Sequence, residues 1–134
     1  MAFLLDASVF LAAFDADDQY FKSCREVLLN ETITLATLDL ARYEVTNVAT
    51  RSWKSLKAVD KLLEAIENIM CDGGVIESTQ HLLTESAIIA KQYSISVYDA
   101  AYVAASRSIG FQLVSCDFKD LVKQGLAILP SSEK

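Results

Sequence analysis

Short apolar segments alternate with helical segments along most of the chain. Strands are predicted where residues are apolar or β-branched, at residues 2–6, 32–38, 75–76, 111–116 and 126–129. Helices are predicted between them, at residues 8–14, from a cap at Asp17 or Asp18 to residue 29, and at residues 39–53, 55–70, 79–93, 96–109 and, for a turn or two, 118–123. Strands separated by helices indicate an α/β fold whose mostly parallel sheet is covered on both faces.

The length and the charge of the chain limit its organisation. With 134 residues and no linker or repeat, residues 1–134 are predicted to form one domain. No apolar stretch approaches the roughly 20 residues that span a bilayer, and the amino terminus lacks a basic flank, so we expect a soluble, cytoplasmic protein. The net charge of −6 argues against broad attraction to nucleic acid, although bound cations would neutralise part of an acidic cluster.

The three cysteines, Cys24, Cys71 and Cys116, are odd in number and lack the paired spacing of zinc sites. We expect them to be buried or half-buried thiols in a reducing compartment. Cys71 belongs to the segment of residues 71–74, which is predicted to end the preceding helix.

Four carboxylates stand where predicted strands end or helices begin. Asp6 and Asp117 follow predicted strands, Asp99 lies near the start of a helix, and Glu44 lies about five residues into another. Because functional crevices of parallel sheets open beyond the carboxyl ends of the strands, the four are expected to converge. Each has an alternative interpretation: Asp6 and Asp117 could simply start turns or cap helices, Asp99 could cap its helix, and Glu44 could be an ordinary exposed residue.

Converging carboxylates repel one another, which raises their pKa values unless a cation is bound. A hard, oxygen-seeking ion such as Mg²⁺ or Mn²⁺ relieves this repulsion. Hydrolysis of a phosphodiester bond is the reaction that best uses such a cluster.

Four segments, in order, resemble the motifs of PIN-domain proteins. They are residues 4–10 (LLDASVF), 43–47 (YEVTN), 96–106 (SVYDAAYVAAS) and 113–117 (LVSCD). The resemblance spans nearly the whole chain, and it implies a three-layer α/β/α sandwich with an Mg²⁺- or Mn²⁺-dependent endoribonuclease site. By this resemblance Asp6, Glu44, Asp99 and Asp117 are the catalytic, metal-binding residues.

The resemblance also implies supporting residues and partners. Ser8, Asn47 and Ser115 match polar positions that support the acidic cluster, and Asp120 is either an outer ligand or a solvated capping residue. The compact chain looks most like the VapC toxins of prokaryotic toxin–antitoxin pairs. Those proteins are commonly homodimers that a VapB-like antitoxin holds inactive.

A basic stretch follows Glu44 along the chain. Arg42, Arg51, Lys54 and Lys57 are expected to contact phosphates of an RNA substrate, with a solvated helical face as the alternative. Trp53 could stack on a base or fill a dimer interface. Tyr98 and Tyr102, one helical turn apart, are predicted to pack rather than to stack on bases.

Two other functions require residues that this chain lacks at the corresponding positions. A phosphoaspartate receiver requires a lysine at the end of a late strand, and this chain has none there. A haloacid-dehalogenase-like phosphatase requires an aspartate two residues after Asp6, where this chain has Ser8. The remaining alternative is a noncatalytic PIN-like domain that binds RNA or protein.

Overall fold

Four strands and six α-helices are present in the computed structural model, which describes residues 1–69 and 74–130. The strands are β1 (Ala2–Leu5), β2 (Thr34–Leu38), β3 (Gly74–Ile76) and β4 (Gln112–Val114). The helices are α1 (Ala7–Ala13), α2 (Phe21–Leu29), α3 (Leu40–Arg51), α4 (Leu56–Ile69), α5 (Gln80–Tyr93) and α6 (Val97–Ile109). A π-helical turn, Phe118–Val122, follows β4. The segment of residues 71–74 that is predicted to end a helix lies outside the described residues except for Gly74. Cys71 therefore also lies outside them.

The strands form one parallel sheet in the order β3-β2-β1-β4. Leu4 of β1 pairs with Ala36 of β2 on one side and with Leu113 of β4 on the other. Helix α6 packs against β1, β2 and β4 and is covered by α5, whereas α1 packs on β1 and α4 packs on β2 and β3. The predicted three-layer α/β/α sandwich with a parallel sheet is therefore confirmed.

The central strands are apolar because helices cover both of their faces. Leu4, Leu5 and Leu38 are fully buried, and burial of each such side chain contributes about 2 kcal/mol to folding. The apolar run of β1 stops at Asp6, which is also buried. A buried carboxylate directly after a core strand needs hydrogen-bond partners, and the amide and hydroxyl of Ser8 supply them.

The predicted last strand, at residues 126–129, is wrong. Only Ile128 joins the sheet, by a single parallel bridge to Val114: its amide donates to the carbonyl of Leu113, and its carbonyl accepts from the amide of Ser115. Pro130 has no N–H with which to extend the pairing, so this segment stays a one-residue contact. The strand β4 is likewise shorter than the predicted residues 111–116.

Hydrogen bonds define where several helices begin. Thr79 and Ser96 cap α5 and α6 by accepting from the amides of Leu82 and Asp99, at 3.1 and 3.0 Å. The carboxylate of Asp18 accepts from the amide of Tyr20, so it closes a turn just before α2 instead of capping it. None of the helices within the described ranges is long and apolar enough to cross a bilayer.

Two helix ends offer a matched test of backbone strain. Ser94 ends α5 and Gly110 ends α6, both in the left-handed region with φ of 58° and 72°. Glycine adopts this conformation without the steric cost of a Cβ atom. We expect Ser94→Gly to raise the free energy of unfolding, and Gly110→Ala to lower it, by about 1 kcal/mol each. Urea unfolding checks both, and shifts of the same sign in both variants would contradict the interpretation.

Candidate active site

The order of the strands places the site between β1 and β4. The chain leaves β1 toward β2 on one side and returns to β4 on the other, so the crevice of this sheet lies between the carboxyl ends of β1 and β4. Asp6 follows β1 directly, and Asp117 lies three residues beyond the end of β4. Both residues therefore lie at the edge of the sheet to which the carboxyl ends of β1 and β4 lead.

Asp6 is held firmly in this crevice. Its side chain is only 4% exposed, and its Oδ1 accepts hydrogen bonds from the amide and the hydroxyl of Ser8, the first at 3.0 Å. Burial raises the pKa of Asp6 to about 6; the charges of Asp99 and Glu44 add to the increase, and hydrogen bonds from Ser115 and Ser8 oppose it. Asp6 thus caps α1, as its alternative interpretation expected, and also belongs to the acidic cluster.

Three further carboxylates form a tight group. Oxygen atoms of Asp99, Asp117 and Asp120 lie within 4.8 Å of one another. Asp99 is the third residue of α6, and Asp117 caps the π-helical turn by accepting from the amide of Asp120 at 3.0 Å. The sequence allowed two interpretations of Asp120, as an outer ligand or as a solvated capping residue. Its carboxylate lies in this group.

These carboxylates interact electrostatically. The pKa of Asp99 is raised to about 6, first by burial and then by the nearby charges of Asp117, Asp120 and Glu44. Within residues 1–69 and 74–130, no lysine or arginine forms an ion pair with any of the five acids. Repulsion of this kind is relieved by a bound cation, so the chemistry of the donors fits a divalent metal ion. Asp99, Asp117 and Asp120 lie close enough together to hold it, and the predicted ligands Asp6 and Glu44 interact electrostatically with Asp99.

Tyr102 positions Glu44, a role that sequence reasoning missed. The hydroxyl of Tyr102 donates to Oε1 of Glu44 at 2.7 Å, and the tyrosine is only 2% exposed. Burial raises the pKa of Glu44, and this hydrogen bond counteracts the increase. Tyr102 follows Asp99 by three residues and so lies on the same face of α6. That spacing is the feature of the sequence that could have indicated a role for Tyr102 in the site.

We expect Tyr102→Phe to weaken the site without unfolding the protein. The substitution removes the hydrogen bond that orients Glu44 and favours its charged form, so the pKa of Glu44 should rise. Hydrogen bonds to charged groups contribute about 2 kcal/mol, which predicts a loss of Mn²⁺ affinity of up to roughly thirtyfold. Isothermal titration with Mn²⁺ measures it, with Tyr93→Phe on α5 as the control. Equal affinities in Tyr102→Phe and the wild type would contradict the role.

The polar residues predicted to support the cluster occupy different places. Ser115 is fully buried, accepts from the amide of Asp117 at 3.0 Å and lies 3.5 Å from the hydroxyl of Ser8. The hydroxyl of Ser8 in turn accepts from the amide of Cys116 at 2.9 Å. The structure therefore brings Ser8 and Ser115 to the acids, while Asn47 is exposed one turn beyond Glu44 on α3.

The predicted basic residues lie on α3, in the connection after it and at the start of α4. Arg42 pairs with Glu67 at 3.7 Å, whereas Arg51, Lys54 and Lys57 are exposed. Arg51 stands seven residues after Glu44, which places it two turns and about 10 Å along the same face of α3.

The two tyrosines of α6 differ in exposure. Tyr102 packs as predicted, but the same prediction is wrong for Tyr98, which is 63% exposed.

Comparisons with known proteins agree with this architecture. The PIN domain model matches residues 3–123. Ribonuclease VapC3 of Pyrobaculum aerophilum is 29% identical over 120 residues, which cover 87% of this chain and 90% of the relative. A toxin–antitoxin complex from Klebsiella pneumoniae superposes with a TM-score of 0.73 at 16% identity, covering 95% of this chain and 96% of the other.

A second solved structure is similar. The Mycobacterium tuberculosis toxin VapC20, described as cleaving the sarcin–ricin loop, superposes with a TM-score of 0.68 at 16% identity and covers 87% of this chain and 91% of its own. This chain combines a three-layer α/β/α sandwich with carboxylates at the edge between β1 and β4, and these two features define its class. The chain belongs to the PIN-domain family, and the predicted likeness to VapC-type proteins is confirmed.

Proposed function

We propose that this protein is a divalent-metal-dependent endoribonuclease that hydrolyses phosphodiester bonds of RNA, and that it is the toxin of a VapBC-type pair. The observation that carries the proposal is the group of Asp99, Asp117 and Asp120 within 4.8 Å, beside the buried Asp6. Relatives described as a ribonuclease and as a toxin that cleaves the sarcin–ricin loop support the same activity.

Each residue has a distinct part in the proposed reaction. Mg²⁺ or Mn²⁺ bound at the group would lower the pKa of an attacking water and stabilise negative charge on the leaving oxygen. Asp99, Asp117 and Asp120 would hold the ion, with Asp6 and Glu44 as further acidic groups beside it. Ser8 and Ser115 fix the orientation of Asp6, and Tyr102 fixes that of Glu44. Because Asp6 and Asp99 have pKa values near 6 in the metal-free protein, both are largely ionised at neutral pH and available to a cation.

Cleavage of a panel of RNAs tests the proposal. The purified chain, free of any antitoxin, is incubated with single-stranded and structured RNAs in Mn²⁺, in Mg²⁺ and in excess chelator. We expect cleavage with either ion and none with chelator. RNA binding without cleavage by folded, metal-loaded protein would instead support the noncatalytic binding domain.

Exposed basic residues beyond Glu44 are proposed to bind RNA phosphates. We expect the double variant Arg51→Glu, Lys57→Glu to weaken RNA binding at least tenfold and to reduce its salt dependence, since each phosphate contact releases counterions. The control reverses two exposed lysines elsewhere, Lys22→Glu on α2 and Lys91→Glu on α5. Fluorescence anisotropy at several salt concentrations measures both. Equal losses in the two double variants would show a general charge effect and contradict a defined path for RNA.

An antitoxin partner and a homodimer complete the proposal. A partner is supported by the solved toxin–antitoxin complex from Klebsiella pneumoniae, which covers nearly the whole chain. A VapB-like antitoxin that occupied the crevice between β1 and β4 would compete with RNA. Coexpression with the product of the adjacent gene, followed by light scattering of the purified complex, tests the partner and the dimer together.

A further inference from the structure

Two cysteines that are far apart in the sequence meet beside the acidic crevice. Cys24 lies on α2 and Cys116 lies between Ser115 and Asp117, 92 residues further along the chain. Their Sγ atoms are 3.7 Å apart. Cys24 is fully buried, whereas Cys116 is partly exposed. One thiol of the pair is therefore accessible to a reagent in solution, and the other faces it from inside the protein.

We propose that Cys24 and Cys116 are a site of reversible oxidation, at which a small-molecule disulfide converts the two thiols into an intramolecular disulfide. A disulfide bond is about 2 Å long, so the two sulfurs need to approach by less than about 2 Å. Rotation of the side chains moves an Sγ atom by such a distance. The sequence could not indicate this pair, because it depends on where α2 lies relative to the segment that follows β4.

The reaction proceeds by two exchanges. The sulfur of Cys116 attacks one sulfur of the small-molecule disulfide, forms a mixed disulfide and releases one small thiol. The sulfur of Cys24 then attacks Sγ of Cys116, breaks the mixed disulfide and releases a second small thiol. The two cysteines lose two protons and two electrons, and both the protons and the electrons are taken up by the two thiols that leave.

The cross-link would join α2 to the segment that carries Asp117. The amide of Cys116 donates to the hydroxyl of Ser8, which itself donates to Asp6. The bond would close a loop of about 90 residues, and a loop of this size restricts the unfolded chain strongly. We therefore expect the oxidised protein to melt at a temperature higher by on the order of 10 °C.

Mass spectrometry of oxidised protein tests the proposal. The native chain is treated with oxidised glutathione, its remaining thiols are alkylated, and the protein is digested without reductant. We expect a peptide pair joined through Cys24 and Cys116, no glutathione left on either residue, and a melting temperature that dithiothreitol returns to the reduced value. The readout is independent of nuclease activity, so this inference can fail while the proposed function stands.

Variants identify the pair. Cys71→Ser should still form the cross-link, whereas Cys24→Ser should accumulate glutathione on Cys116 and show no increase in melting temperature. A folded wild-type protein that retains Cys24 as a free thiol, or that links either residue to Cys71 instead, would overturn the proposal.

Discussion

Asp99→Asn is expected to lower the rate of RNA cleavage at least about a hundredfold at saturating Mn²⁺. Asp99 interacts with every acid of the site: its oxygen lies within 4.8 Å of those of Asp117 and Asp120, and its charge raises the pKa of Asp6. An asparagine keeps the shape of the side chain but removes the negative charge that binds a cation. Single-turnover kinetics on an RNA that the wild type cleaves measures the loss.

The matched control is Asp60→Asn, which removes an exposed carboxylate from α4. We expect its rate to lie within twofold of the wild type. Circular dichroism must show that both variants are folded. A folded Asp99→Asn protein that cleaves RNA within tenfold of the wild-type rate would show that the carboxylate group is not the centre of the reaction.

The second large effect concerns the stability of the metal-free protein. The pKa values of Asp6 and Asp99 are raised to about 6 from an ordinary 3.8, mainly by burial. Between these values the folded protein retains protons that the unfolded chain has released, so the free energy of unfolding falls as the pH rises. We expect the melting temperature to fall by roughly 5 °C between pH 5 and pH 7 in chelator at constant ionic strength.

Two comparisons isolate the cause of this pH dependence. Asp6→Asn should flatten the curve, because the buried group no longer ionises. Adding Mn²⁺ should raise the melting temperature more at pH 7 than at pH 5, since a cation binds the deprotonated carboxylates. Scanning calorimetry across this range measures the wild type with and without Mn²⁺ and the Asp6→Asn variant. A melting temperature that rises from pH 5 to pH 7 in the metal-free wild type would contradict the electrostatic account.

The sequence predicted the parts of the site that follow from local pattern. Asp6 and Asp117 could be placed because each ends an apolar run, and parallel strands bring their carboxyl ends to one edge. Asp99 could be placed because Ser96 marks the start of its helix, and Ser96 is indeed the cap. These inferences require only the periods of strands and helices and the chemistry of caps.

Other features depend on packing between distant segments. The hydrogen bond between Tyr102 and Glu44 requires α3 and α6 to approach with a particular rotation, and periodicity within one helix does not determine that rotation. Asp120 lies close to Asp99 and Asp117 because the π-helical turn after Asp117 brings its side chain there. Tyr98 is exposed because the buried stretch of α6 begins at Ala100. The residues before that point extend beyond the packed layer.

Direct binding of Mn²⁺ is the measurement that tests the central claim. Metal-free protein is titrated with Mn²⁺, and the electron paramagnetic resonance signal of the free ion gives the bound fraction. We predict saturable binding to the wild type and to Asp60→Asn, and binding at least tenfold weaker in Asp117→Asn, which removes one carboxylate of the group. Equal binding by wild type and Asp117→Asn, or no saturable binding by folded wild type, would contradict a metal site at the end of β4.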